Sequence, residues 1–246
     1  MSRQIAIVTG GAAGLGFAIT KKLVAEGVQV VMIGRNEDKL KAAAEEFGEL
    51  SSYRKFDLRN LKDIPALIED IIVEFGKIDI LVNNAGINMK KPFVEVTDED
   101  FASVIHSNLS AVFAISREVV KKMIEVQTGC IVNISSMAAQ YGIPKVIAYS
   151  AAKTGIEGIT RAMATELSPL GIRINCIAPG FIKTAMSAKA LDADPERKHK
   201  VFSRTPMGKM GDPEDVAEAV YFLCSDGAKY ITGVVMPVDG GNAIGF

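Results

Sequence analysis

One feature constrains this chain more than any other. IAIVT (Ile5–Thr9) carries no charge and runs directly into GGAAGLG at 10–16. An apolar run of this length without alternation reads as a strand buried on both faces. A helical pattern follows from Gly14 to Glu26 and closes at Gly27. A buried strand that turns through glycines into a helix is the opening of a parallel α/β sheet.

The rest of the chain keeps that rhythm. VQVVMI, SSYRKFD, IDILVNNAG, CIVNISS, IRINCIAPG and GVVMPVDGG read as six further strands. Helical patterns separate them: NEDKLKAAAEEFG, LIEDIIVEFG, a long stretch from Asp98 to about Glu125, the segment around Tyr149, and DPEDVAEAVYFLCS with Pro213 at its first position. The expected fold is α/β, a doubly wound parallel seven-stranded sheet with helices on both faces. No linker, repeat or low-complexity segment divides the sequence, so 1–246 is expected to form a single domain. The longest irregular stretch, 183–211, reads as a substrate-binding loop or lid within it.

Composition excludes several classes. The net charge is −1 with acids and bases interspersed, which favours neither nucleic acid nor an anionic membrane. No apolar run approaches the roughly 18 residues of a membrane span, and the first residues lack the pattern of a signal peptide. Cys130, Cys176 and Cys224 are widely spaced in apolar surroundings. They read as buried free thiols of a reducing, cytoplasmic compartment rather than as disulfides. His106 and His199, the two histidines, form no ligand-spaced cluster, so no metal is expected.

The glycines fall at Gly10, Gly14 and Gly16, not at the spacing of the usual dinucleotide fingerprint. The physical role is the same. Glycines allow a tight turn and a close backbone approach to a pyrophosphate, and the next helix offers its amide-bearing end. At the end of the second strand Gly34 stands where an acid would bind ribose hydroxyls, and Arg35 follows. A guanidinium there pairs with a 2′-phosphate, which points to NADP, with NAD still possible.

With these residues in view, the chain resembles the short-chain dehydrogenase/reductase family over essentially its whole length. TGGAAGLG resembles the family's cofactor loop, NNAG at 83–86 its motif after the fourth strand, and YSAAK at 149–153 its Tyr-x-x-x-Lys pair. Ser136 precedes Tyr149 by the family's usual thirteen residues, and Asn108 in HSNLS resembles its helix asparagine. PGFIKT at 179–184 and VDGG at 238–241 resemble its later signatures. The resemblance implies a catalytic tetrad of Ser136, Tyr149, Lys153 and Asn108. It implies cofactor contacts from Gly10, Ala12, Gly14, Leu15, Gly16, Arg35, Asn36, Asp57, Leu58, Asn84, Ala85, Gly86, Pro179, Gly180, Ile182 and Thr184. Asn83 reads as structural. Tyr149 and Lys153, four apart, share a helix face. The ammonium favours the phenolate, so Tyr149 can exchange a proton with an alcohol or ketone, while Ser136 holds the substrate oxygen.

The expected activity is interconversion of a secondary alcohol and a ketone on a small-molecule substrate. NAGINMKKPF resembles members acting on sugar acids, such as gluconate 5-dehydrogenase, with Lys90 and Lys91 as substrate contacts. The alternative is a 3-oxoacyl-[acyl-carrier-protein] reductase. A non-catalytic NADP-binding regulator is disfavoured by the complete tetrad. The resemblance also implies a homotetramer, and Ala152, Gly155 and Gly158 on the Tyr149 helix could pack closely, against another copy or against the chain's own sheet.

Overall fold

The computed structural model describes residues 3–184 and 195–245. Its strands are β1 (Ile5–Thr9), β2 (Gln29–Gly34), β3 (Ser51–Lys55), β4 (Ile80–Asn83), β5 (Gly129–Ile134), β6 (Ile172–Pro179) and β7 (Val235–Val238). They pair in parallel in the order β3-β2-β1-β4-β5-β6-β7. The order reverses between β1 and β4, and such a switch point opens a crevice at the carboxyl ends of the strands.

The helices are α1 (Gly14–Ala25), α2 (Glu37–Phe47), α3 (Ile64–Phe75), α4 (Asp98–Ile105), α5 (Ala111–Val126), α6 (Ile147–Leu167), α7 (Pro195–Arg204) and α8 (Pro213–Cys224). They cover both faces because successive strand residues point opposite ways. Ala6 and Val8 pack with Ile19 and Leu23 of α1 and Val220 of α8. Ile7 between them packs with Ile68 of α3, Ile115 of α5 and Leu167 of α6. The doubly wound expectation is met. No helix among the described residues is long and apolar enough to cross a membrane.

Three expectations need correction. The single helix from Asp98 to Glu125 is interrupted: α4 passes into a π-helical turn at His106–Ser110 before α5 begins. Part of the irregular stretch 183–211 is α7, whose strongly polar sequence carries too few apolar residues to announce it; residues 185–194 of that stretch lie outside the described residues. Gly155 packs neither on the sheet nor outward. A Cβ there would come within 2.9 Å of Leu109 in the π-helical turn, whereas at Gly158 it would meet nothing.

Candidate active site

The glycine loop and α1 form one wall of the crevice. Gly10 adopts φ +66°, a left-handed conformation open to glycine without steric cost. A Cβ on Gly16 would sit 2.1 Å from the Gly10 carbonyl oxygen, so the first turn of α1 lies directly on the loop. That helix begins bare: Ala13 at its N-cap provides no side-chain bond, and the first turn contains no acid. Three other helix starts are closed by side chains. Asn36 Oδ1 accepts from the Lys39 amide at 2.9 Å, ahead of Glu37 and Asp38. Thr97–Asp100 and Asp212–Asp215 form capping boxes on α4 and α8.

Along this wall runs a cleft of about 570 Å³, bordered by Gly10, Gly14, Leu15, Arg35, Asp57 and Thr184. Leu58, Asn84, Ala85 and Gly86 also border it. Ala12 and Asn36 border the adjoining recess beside Arg35. Asn36 caps α2 with its side-chain oxygen, so the role expected of it toward a cofactor competes with that cap. Asp57 binds Arg59 with both oxygens: Oδ2 accepts from Nη2 at 2.6 Å and from Nε at 3.0 Å, and Oδ1 accepts from Nε at 3.1 Å and from the amide at 3.0 Å. The Arg59 guanidinium, with a smaller part from Arg35, holds the Asp57 carboxyl below the usual carboxylate range. Ser107 Oγ is buried without a hydrogen-bond partner and Ser107 borders the cleft. The sequence reading passed over Ser107, because only burial of its unsatisfied hydroxyl distinguishes it from other serines.

The far wall is built on β4, β5 and α6. Asn84 Nδ2 donates to Thr9 O at 2.9 Å, tying the end of β4 to the start of the glycine loop. Asn83 is buried and donates to Ser116 and Asn133, the structural role expected of it. Gly180 N donates to Val238 O at 2.9 Å, and Ile182 bridges to Gly211, so the segment from Pro179 to Thr184 is pinned to β7 and to the far end of the lid stretch.

Lys153 of α6 reaches the end of β5 at Ile134, two residues before Ser136, and Tyr149 stands one turn earlier on the same helix. Lys153 is 4% exposed, and its Nζ donates to Ile134 O at 2.7 Å. The same Nζ lies 5.6 Å from the centre of the Tyr149 ring. Tyr149 itself is half-buried. The two neighbouring serines are distinct. Ser135 Oγ is buried and donates to Glu157 Oε1 at 2.8 Å, while the part-exposed Ser136 Oγ only accepts from the Ala138 amide at 3.2 Å. Asn108 is fully buried in the π-helical turn. Its amide pairs with both backbone groups of Ile87, accepting at 2.8 Å and donating at 2.7 Å, and so fixes the loop that follows β4.

That loop carries the two lysines expected to meet substrate. Lys90 is exposed. Lys91 is engaged elsewhere: its Nζ binds Asp100 Oδ2 at 2.7 Å and its amide donates to Lys145 O at 2.8 Å. Asp100 is the third residue of the α4 capping box, fixed in place before any substrate arrives. The Lys91 ammonium holds its carboxyl below the usual range.

An NAD(P) fits this wall. The first turn of α1 carries no acid and no side-chain cap, the glycine loop has no room for a Cβ at Gly16, and Ser107, whose hydroxyl is unsatisfied, borders the cleft. Residues 10–243 match the family model described as enoyl-(acyl carrier protein) reductase. The chain is 39% identical, over 98% of its length, to the 3-oxoacyl-[acyl-carrier-protein] reductase FabG of Chlamydia trachomatis and covers 97% of it. The chain belongs to the short-chain dehydrogenase/reductase family. As such it is an NAD(P)-dependent oxidoreductase. The structure of a putative gluconate dehydrogenase from Agrobacterium tumefaciens superposes with a TM-score of 0.94 at 35% identity, covering 99% of this chain and 97% of that one. An actinorhodin polyketide ketoreductase with NADPH superposes with a TM-score of 0.91 at 33% identity, covering 98% of each.

Proposed function

We propose that this enzyme reduces the 3-oxo group of an acyl thioester with NADPH. The observation that carries the reading is the likeness to FabG over nearly the whole of both chains. The pairing of Lys91 with Asp100 adds to it, because it removes one of the two cations that would favour a sugar acid. Arg35, exposed beside the recess at the end of β2, supports NADP over NAD.

In this reading Tyr149 donates its phenolic proton to the ketone oxygen. Ser136 Oγ holds that oxygen and stabilises the charge that develops on it. Lys153, anchored on Ile134 O, keeps an ammonium beside the phenolate left behind. The bound reduced nicotinamide supplies the hydride. Asn108 acts indirectly, by holding the loop at Ile87. The segment 183–211 serves as the lid over the substrate, its ends joined at Lys183 and Gly211. The chain functions as a homotetramer; Phe101 and Phe113, 40% and 51% exposed on α4 and α5, are surfaces suited to such assembly.

A second reading, a sugar-acid dehydrogenase, rests on the structural likeness to the putative gluconate dehydrogenase and on the exposed Lys90. The two are separated by following NADPH consumption with an acetoacetyl thioester and with 5-keto-gluconate side by side. Turnover of the thioester is expected. Turnover of the keto-acid alone would overturn the first reading and leave the second.

A further inference from the structure

At the opposite end of the sheet from the glycine loop, the amino ends of β4, β5 and β6 border a second cavity of about 630 Å³, lined among others by Asp79, Cys130, Arg173, Cys224 and Lys229. Cys130 is the second residue of β5, and Cys224 is the last residue of α8. Far apart in sequence, they meet here. Cys130 Sγ donates to Leu223 O at 3.4 Å, the carbonyl next to Cys224 in the chain, and the two cysteines belong to one buried cluster. They are 4% and 7% exposed, each touching the cavity they line. The Cys224 thiol, with Arg173 beside it, holds Cys130 below the ordinary thiol range against the effect of burial. The neighbouring Cys130 thiol and burial push Cys224 well up. The third cysteine differs. Cys176 is fully buried in the middle of β6, where burial pushes its thiol up to about 12.

We propose that Cys130 and Cys224 form an oxidisable dithiol, with Cys130 as the attacking sulfur and Cys224 as its resolving partner, and that a peroxide small enough to enter the cavity closes them into a disulfide. Cys130 thiolate attacks one peroxide oxygen, the O–O bond breaks, and hydroxide leaves and takes up a proton as water; Cys130 becomes a sulfenic acid. Cys224 sulfur then attacks Cys130 sulfur, the S–O bond breaks, and a second water leaves with the Cys224 proton. Two thiols lose two electrons in all, and hydrogen peroxide is reduced to two waters. Arg173 acts as a positioning residue that keeps Cys130 ionisable. A sulfur held 3.4 Å from the carbonyl that adjoins Cys224 needs only a small approach to reach disulfide geometry. Because β5 ends at the serines of the active site and α8 is a separate layer, the bond would fasten the base of the catalytic strand to the helix that covers it.

The test uses the full-length reduced protein and hydrogen peroxide. Titratable thiols in denaturant should fall from the three cysteines of the chain to one, return to three with dithiothreitol, and digestion should yield a Cys130–Cys224 linked peptide lighter by two hydrogens. Cys176→Ser should leave that peptide unchanged. In Cys224→Ser a sulfenic-acid trap such as dimedone should label Cys130, while Cys130→Ser should leave Cys224 unlabelled. Three surviving thiols, or oxidation of Cys130 that ends in sulfinic acid without the linked peptide, would overturn the dithiol. Equal labelling of Cys224 in the Cys130→Ser variant would overturn the assigned direction. The measurement on the unaltered protein stands even if a serine variant fails to fold.

Discussion

The cofactor wall and the rim, the loop that follows β4, meet at the cleft, where Gly10 and Arg35 stand with Gly86 and Ile87, and they are built on opposite principles. On the cofactor wall, functional groups are left unmade: α1 starts without a cap, and Ser107 Oγ has no partner. On the rim, polar groups are paired before any ligand arrives. Lys91 is held by Asp100, and the loop backbone is held by Asn108 and Lys145. Unmet hydrogen bonds at a helix start are costly unless something completes them, so the bare wall fits a ligand shared by a whole family. A pre-paired rim instead offers shape and reads a substrate through what it excludes. The lesson is that the generic half of the site is recognisable by what it lacks, and the specific half is masked by what it has already bonded.

The two sides should therefore fail differently. Tyr149→Phe, at their junction, should lower kcat by about a hundredfold or more, the low end of what a positioned acid contributes, with NADPH affinity unchanged by fluorescence titration. Near-normal turnover would remove Tyr149 from the chemistry. Gly16→Val strikes the cofactor wall alone. Its Cβ would meet the Gly10 carbonyl, and an overpacking cost of about 1–3 kcal/mol should weaken NADPH binding by about tenfold or more and lower Tm. Unchanged binding in a folded variant would mean that the loop does not approach the cofactor as closely as argued.

Legibility in the sequence follows the same division. The strands β1, β2, β4, β5 and β6 were readable because both of their faces are buried, and the glycines because a tight turn under a helix start admits almost nothing else. Ser136 was separable from Ser135 by spacing, and Ser135 Oγ is turned toward Glu157. The π-helical turn was not readable: HSNLS has no breaker, and the bulge exists to let Asn108 reach Ile87 across 21 residues. Lys145 was not readable either. It adopts φ +68°, which a non-glycine residue rarely does, and its carbonyl holds the Lys91 amide. Nor could spacing reveal that Cys130 and Cys224 line one cavity. Each of these depends on a contact between distant segments. Arg35 lies between the cases, in the expected place and exposed. Arg35→Ala should raise the Kd for NADPH by about ten- to a hundredfold, as loss of a charge-assisted bond implies, and leave NADH within about threefold. Equal losses for both would mean that Arg35 does not read the 2′-phosphate.

The smallest effect belongs to the rim. If Lys91 serves Asp100 rather than substrate, Lys91→Ala should change KM for the accepted ketone by less than about threefold, in line with the modest worth of part-exposed ion pairs. Its signature should appear in pH instead. Asp100 has a folded pKa below its unfolded value because Lys91 and the Thr97 amide favour the carboxylate. Its contribution to stability is therefore present above the unfolded pKa and is lost as pH falls through the folded one. Removing Lys91 takes away the larger of those causes. The carboxyl should then titrate closer to the ordinary carboxylate range, and the acid limb of the Tm–pH curve should move to higher pH in the variant. A large rise in KM with an unshifted acid limb would mean the reverse: that Lys91 leaves Asp100 to meet the substrate, and that the rim reads charge after all.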